Sequence, residues 1–449
     1  APEQCGRSAG SILTSGPTGG VLASAKRAEQ LGTPNVLTTD MGGTSFDVGM
    51  IIEHEPVVSA GQLVNGYHVL KPAVEVTAIG AGGGSIAQVI DGQLLVGPES
   101  AGSVPGPACY RRGGVRPTVT DADVVLGIID PDYFLGGTFP LDREAAARAI
   151  QDHVATPLGV SLEEAAAGIK EIADHRMADI LDTLSVGRGH DPRDFVIFAY
   201  GGAGGAHCHA FAAELGVRSV IVPSTATEHS EFGAVMSDLH VARELSDPLH
   251  CANWEAAPEV LDGGRMTANL ARLEEQVVTE LVDSGASADA IHVNRYAEIK
   301  FRMQAKSLSV AVPPGEVTRD SLVELLAQFL SQFTETYGSE AVFLGAGVEI
   351  ASLRVQGMGE LDRPRIQQVQ SGGTVAGHEP PSSRRVYIGR EAGWVDAEVL
   401  RGASLKEGDV IEGPAVIEHP GTTIFVGQGQ TARIDRMDNT VITTSTSGA

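Results

Sequence analysis

The chain reads as an α/β protein: a sheet with helices on its faces, followed by an α+β region and a small β-rich C-terminal module. Three observations predict this. Through about residue 245, strand-like apolar runs alternate with helical patterns across glycine-rich turns, as in a sheet covered by helices. Within that stretch, Asp40-Met41-Gly42-Gly43-Thr44-Ser45-Phe46-Asp47 sets a glycine-rich turn, bracketed by two carboxylates, between two strand-like runs. After about residue 365 the chain breaks into short strands interrupted by Gly and Pro. The expected organisation is 1–245 for the α/β lobe, 246–365 for the α+β domain and 366–449 for the β module.

A length of 449 residues suits two or three domains. With 42% hydrophobic residues and no apolar run near the length of a membrane span, the composition is that of a soluble globular protein. A net charge of −25 argues against nucleic acid or an anionic membrane as partner. An anionic ligand would then need a local positive field from backbone amides and a metal. Cys5, Cys109, Cys208 and Cys251 are widely spaced and imply neither a disulfide framework nor a zinc ribbon. Residues 1–20 hold no basic start followed by an apolar stretch, so a cytoplasmic location is expected.

Taken in order, Ser15-Gly16-Pro17-Thr18-Gly19-Gly20 reads as a turn leading into a helix over Val21–Gln30. Asn35–Thr39 and Val48–Ile52 read as the strands of a hairpin around the glycine loop. Glu163–Leu184 carries the clearest helical period and stops before Gly187-Arg188-Gly189-His190. Strand Phe195–Tyr200, the turn Gly201-Gly202-Ala203-Gly204-Gly205, helix Ala206–Leu215 and strand Val217–Val222 follow. Beyond 250 the patterns predict helices over Met266–Asp283 and Asp320–Tyr337, with strands near Ile291–Ala297 and Leu308–Val312. The tail offers strands at Arg384–Ile388, Trp394–Leu400 and Ala415–Glu418.

The hairpin sets the first loop apart from phosphate binders that run from a strand into a helix. Here an anion would meet the N–H groups of the turn itself. Gly42 and Gly43 can take φ > 0 and allow close approach, while Asp40 and Asp47 would hold a divalent cation through water. An ordinary Asp/Gly-rich hairpin turn is the competing explanation. His207 and His209, two residues apart at a helix start, do not share a face as a zinc pair would. N-capping accounts for Asp121 and Asp123. Gly82–Gly84 would line a ligand cleft or only permit a tight turn. Arg188 and Arg193 could meet phosphate, but complementing a helix C-terminus is simpler.

The first loop resembles the second phosphate loop of the acetate and sugar kinase, heat-shock chaperone and actin superfamily, whose chaperones carry Asp-Leu-Gly-Gly-Gly-Thr-Phe-Asp there. The resemblance implies an actin/sugar-kinase-like (ribonuclease H-like) nucleotide-binding lobe. In it Gly42, Gly43 and Thr44 hold phosphate, and Gly201, Gly202, Ala203 and Gly204 lie flat against the adenosine. Further stretches narrow the match. They are Ile79–Ala87, Gly97–Gly102, Pro105–Tyr110, Pro117–Asp123, Phe134–Gly137, Arg188–Arg193 and Tyr200–Gly204. Together these are similar to the large ATP-dependent subunit of the hydantoinase A, 5-oxoprolinase and acetone or acetophenone carboxylase family. Residues 11–240 carry most of the likeness; Thr227–Ala234 and Val342–Ile350 look closer to the carboxylase branch.

The family's loop commonly has Thr where this chain has Phe46, which removes a hydroxyl that could touch phosphate or metal. Members also begin with another Asp-x-Gly-Gly-Thr loop in a first lobe, and nothing before Asp40 supplies one. The expectation is a chain carrying one jaw of an ATP clamp, with the first lobe elsewhere.

The resemblance implies activation of a ketone or cyclic amide by phosphoryl transfer from ATP. Mg²⁺ or Mn²⁺ would be held by Asp40 and Asp47, and bicarbonate is a possible co-substrate. It also implies a hetero-oligomer with a hydantoinase B-like subunit and, if separately encoded, the first ATPase lobe. Carboxylase, 5-oxoprolinase-type lactam hydrolase and non-catalytic assembly lobe all remain open, and no residue stands out as a general base.

Overall fold

The computed structural model describes residues 15–59, 73–361 and 382–444, together with the backbone of 62–64 and 67–69. Cys5 lies outside the described residues. The chain divides into two compact units, one of residues 237–364 and one formed by the remainder.

The larger unit is built on a nine-stranded sheet. It includes β1 (Val36–Met41), β2 (Phe46–Ile52), β3 (Val76–Ile79), β4 (Val196–Tyr200) and β5 (Ser219–Val222). β1, β4 and β5 run parallel, and β2 returns antiparallel to β1. β1 is buried at every position but Asp40, and β4 at every position but Val196. Parallel strands covered on both faces read as continuous apolar runs. Helices α1 (Ser15–Leu31), α2 (Val119–Val125), α3 (Leu162–Val186), α4 (Gly204–Leu215) and α5 (His229–Met236) belong to this unit. A capping box between Ser161 and Glu164 starts α3, and Gly216, at φ +67°, ends α4.

Helix α1 begins six residues earlier than the predicted Val21, taking in the glycines read as a turn. Gly19 and Gly20 are buried. A Cβ on Gly19 would land on the Ser230 carbonyl, and one on Gly20 would strike the Tyr200 ring. These glycines let α1 lie against α5 and β4.

The tail is β-rich as expected, but the structure sets its boundaries elsewhere. Thr440–Thr444 pairs antiparallel with β5, Gln430–Ile434 pairs with it in turn, and Val410–Glu412 closes that edge. The strands at 382–387, 394–401, 415–418 and 423–426 form a second sheet in the same unit. Its Phe425 ring meets His209 of α4 at 4.8 Å. The edge of β5 needs a partner, and short alternating strands do not announce which edge they complete.

Residues 237–364 form an α+β unit with its own core. A five-stranded antiparallel sheet carries the helices Gly263–Asp283 and Arg319–Tyr337. Phe301, Phe329 and Phe333 pack edge-on or tilted at centroid distances of 4.9–5.7 Å.

Candidate functional site

β1 and β4 run in register, Asp40 beside Tyr200, so both end at the same edge of the sheet. Ligands in α/β sheets gather where such carboxyl ends open a crevice. The loop after β1 and the loop after β4 interlock there: the Ala203 N–H donates to the Met41 carbonyl at 3.1 Å. Gly201 sits at φ +82°, and a Cβ would meet Met41 and the Asp40 carboxylate, so glycine is required.

The first loop is a four-residue turn whose carbonyls are already engaged. Gly42 O accepts from Gly83 N–H at 3.0 Å, and Gly43 O from Gly84 N–H at 2.6 Å. Gly82 is glycine for the same reason, since a Cβ would come within 2.8 Å of Gly42 O. Gly82–Gly84 therefore clamp the loop, and Gly83 also faces the cavity described below. The N–H groups of Gly43 and Thr44 meet no acceptor among the described residues and can receive an anion. Neither Gly42 nor Gly43 uses a positive φ; no atom lies within 4 Å of where their Cβ atoms would stand, and that open space admits a ligand.

Asp40 and Asp47 are cross-strand partners on one face of the hairpin. Burial pushes the Asp40 carboxyl up to about 6, against the lowering effect of the Ser230 hydroxyl at 3.1 Å and with the help of Asp47 and Glu231. Burial also raises Asp47, opposed by the Ser45 hydroxyl at 2.9 Å. Among the described residues no group of three or more His, Cys, Asp or Glu could cage a metal. Two adjacent, half-desolvated carboxylates beside free N–H groups instead suit Mg²⁺, which keeps waters and shares phosphate oxygens.

A cavity of about 270 Å³ opens between the two loops. Gly42, Gly43, Gly83, Gly202 and Ala203 line one side, Tyr110, Tyr133 and Phe134 another, and the tail segment 418–423 a third. Of the other predicted residues, Thr44 is exposed at the turn tip and Gly204 opens α4. Arg188 pairs with Glu75, and Arg193 with Asp191 at 2.6 Å; neither lines the cavity. The Phe46 ring is fully buried against Phe211 at 5.8 Å, so a hydroxyl at position 46 would face the core and not phosphate.

Beneath the cavity runs a buried chain of alternating charge. Lys170 Nζ donates to Asp174 at 2.6 Å, Asp174 meets His207 Nδ1 at 2.6 Å, and His207 Nε2 lies 3.2 Å from Asp123. Burial alone would lower the His207 pKa, but Asp123 and Asp174 outweigh it and hold it up at about 9. Burial likewise opposes ionisation of Asp174, which Lys170 and His207 nevertheless bring down to about 2.

Sequence reasoning assigned Asp121 and Asp123 alike to capping. The structure separates them: Asp121 closes a capping box with Thr118 and accepts from the Ala108 and Cys109 N–H groups, whereas Asp123 lines the cavity. Capping by Thr118 and Asp121 leaves a second carboxylate unexplained, and that was the available signal.

Comparison with known proteins places the chain in a family. The hydantoinase/oxoprolinase model matches residues 3–243, and the hydantoinase/oxoprolinase C-terminal domain model matches 257–440. The chain belongs to the hydantoinase/oxoprolinase family. Among its relatives, the caprolactamase subunit alpha of Pseudomonas jessenii is 34% identical over 94% of this chain and 60% of its own length. The acetone carboxylase beta subunit of Xanthobacter autotrophicus is 32% identical over 93% of this chain and 59% of its own length. A nucleotide-free acetone carboxylase structure superposes with a TM-score of 0.84 at 30% identity, covering 95% of this chain and 61% of that one. The ATP-dependent caprolactamase of Pseudomonas jessenii gives 0.74 at 33% identity, covering 96% and 61%. The chain thus spans about three fifths of the length of these relatives. Its fold is the α/β class expected, and no helix among the described residues is long and apolar enough to cross a membrane.

Proposed function

We propose that this family member supplies the phosphate loop and the adenosine loop for ATP-dependent activation of a small carbonyl substrate, a ketone or a cyclic amide. One observation carries the reading: two glycine loops at the ends of adjacent parallel strands meet over a single cavity, beside a facing pair of carboxylates. The Gly43 and Thr44 N–H groups hold phosphate, and Gly201, Gly202, Ala203 and Gly204 give the adenosine a flat backbone surface. Asp40 and Asp47 hold Mg²⁺, which when bound supplies charge neutralisation for a transferring phosphoryl group.

The relatives' names divide between ketone carboxylases and a lactam-opening enzyme. Phosphorylation of the substrate carbonyl oxygen, as enol or imidate, is a first step common to both. Bicarbonate then distinguishes them: a carboxylase consumes it, while a hydrolase finishes with water. The relatives named as subunits motivate a hetero-oligomer in which a partner subunit, hydantoinase B-like, completes the reaction.

The test is substrate-dependent ATP hydrolysis by the full-length protein with its partner subunits, using ketones and lactams with and without bicarbonate. Ketone-stimulated turnover that requires bicarbonate identifies a carboxylase; lactam-stimulated turnover without it identifies a hydrolase. A complex that neither binds nor hydrolyses ATP under any of these conditions ends the proposal.

A further inference from the structure

Asp123 is 1% exposed and lines the cavity, yet only half of its carboxylate is engaged. Oδ2 lies 3.2 Å from His207 Nε2, while Oδ1 has no hydrogen-bond partner among the described residues. A buried carboxylate oxygen left without a donor is strongly unfavourable. On its other side His207 stands between Asp123 and Asp174, and Lys170 closes the far end. Asp123 thus keeps an unpartnered acceptor oxygen at a residue of the cavity wall.

Its place limits what it can meet. Thr120 is anchored to the Gly83 carbonyl by its N–H and its hydroxyl, both at 2.8 Å, and Gly83 in turn holds Gly42 of the phosphate loop. Asp123 is about one turn further along α2, roughly 4.5 Å on. There it lies against His207, in the first turn of α4, which follows directly on the adenosine loop. A carboxylate repels phosphate, so the part of a nucleotide at this point is its uncharged nucleoside. The His207 imidazolium beside it disfavours a second metal ion. Tyr110, Tyr133 and Phe134 supply the flat apolar wall that a nucleoside base packs against.

We propose that Asp123 reads the nucleoside: its free Oδ1 accepts a hydrogen bond from a donor on the bound nucleotide, either a ribose hydroxyl or the exocyclic amine of the base. This rests on the assignment of the cavity to ATP and adds the residue that selects among nucleotides. Asp123 is a specificity determinant here and takes no part in phosphoryl transfer. Such a site penalises a ligand lacking the donor more than it rewards a larger apolar one, because the carboxylate is then left buried and unpaired.

The experiment is equilibrium binding of Mg-ATP, Mg-2′-deoxy-ATP, Mg-3′-deoxy-ATP and Mg-ITP to the full-length protein and to its Asp123→Ala variant. In the wild type, the analogue that lacks the recognised donor binds about tenfold or more weakly than ATP, which says whether sugar or base is read. Asp123→Ala loses a similar factor for ATP and little more for that analogue. If all four bind the wild type within about twofold, the proposal is overturned, and this arm stands even if the variant does not fold. If a folded Asp123→Ala keeps the wild-type preference, the proposal is again overturned while ATP binding survives. If no nucleotide binds the wild type, the assignment of the cavity itself fails, and the role of Asp123 with it.

Discussion

Asp40 and Asp47 sit directly opposite each other across the β1–β2 hairpin, and burial raises the pKa of both. Like charges so placed oppose folding. A raised carboxyl contributes an unfavourable term that is absent below its ordinary value of 3.8 and complete above about 6. Asp40→Asn removes that term. Without metal at pH 7.5 the variant is expected to be more stable by about 1–2 kcal/mol, a figure discounted for partial exposure, with the gain gone by about pH 4. Mg-ATP binding should weaken at least tenfold, since one of the two carboxylates proposed to hold the cation is lost. Urea unfolding at the two pH values, paired with calorimetric titration, checks both halves. A variant less stable than wild type at pH 7.5 would count against a net cost of burying this carboxylate.

The contact of α1 with α5 is made backbone to backbone. A Cβ on Gly233 would fall within the Gly19 carbonyl, whereas Gly16, in the first turn of α1, has no atom within 4 Å of its Cβ position. Gly233→Ala must therefore push the helices apart, at about 2–4 kcal/mol. Gly16→Ala should be neutral or stabilising by up to about 1 kcal/mol through helix propensity. Thermal midpoints of the two variants give the contrast. Equal effects would mean that the glycines matter for propensity and not for packing.

These glycines show where sequence stops short. A glycine declares only the lack of a side chain, and a turn and a close helix contact both exploit that lack. The regular elements were legible because their signal is local: Leu308–Val312, which alternates, and Ala415–Glu418, a short apolar run after Gly-Pro, are strands with the limits the sequence suggests. So was the hairpin around the Asp40–Asp47 loop, whose two strands are neighbours in sequence. What was not legible depends on pairings distant in sequence. Thr440–Thr444 completes the sheet beside β5, and Asp123 finds its partner His207 84 positions away. The 418–423 wall of the cavity likewise comes from a tail that reads as a module apart.

Phe46 stands where the resemblance leads one to expect Thr, and its position accounts for the ring. The ring is fully buried and meets Phe211 of α4 edge-on. Phe46→Thr would open a cavity and bury a hydroxyl, so a loss of about 2–4 kcal/mol is expected. Nucleotide affinity in the folded variant should change less than about threefold, because the ring lies in the core while the N–H groups proposed to bind the anion belong to Gly43 and Thr44. A clear gain in Mg-ATP affinity would show that a hydroxyl here reaches the ligand after all.

The Lys170–Asp174–His207–Asp123 chain gives the larger unit a pH signature of known sign. His207 is held at about 9 against an ordinary 6.5: burial works against the charge, but Asp123 and Asp174 prevail. Its stabilisation is therefore complete below pH 6.5 and lost as pH rises through about 9, on the order of 2–3 kcal/mol in all. Asp174, at about 2 against 3.8, adds stability that is present above 3.8 and lost as pH falls through about 2. The contribution of this chain is therefore flat from about pH 4 to 6.5 and declines on the alkaline side. His207→Gln keeps a polar side chain between the two carboxylates but cannot carry the charge. It should be less stable than wild type at pH 6, where the unpaired carboxylates are felt most, and its stability should hardly change between pH 6.5 and 9. Urea midpoints for both proteins across that interval decide the matter. Parallel declines would assign the alkaline loss to another group and leave His207 neutral.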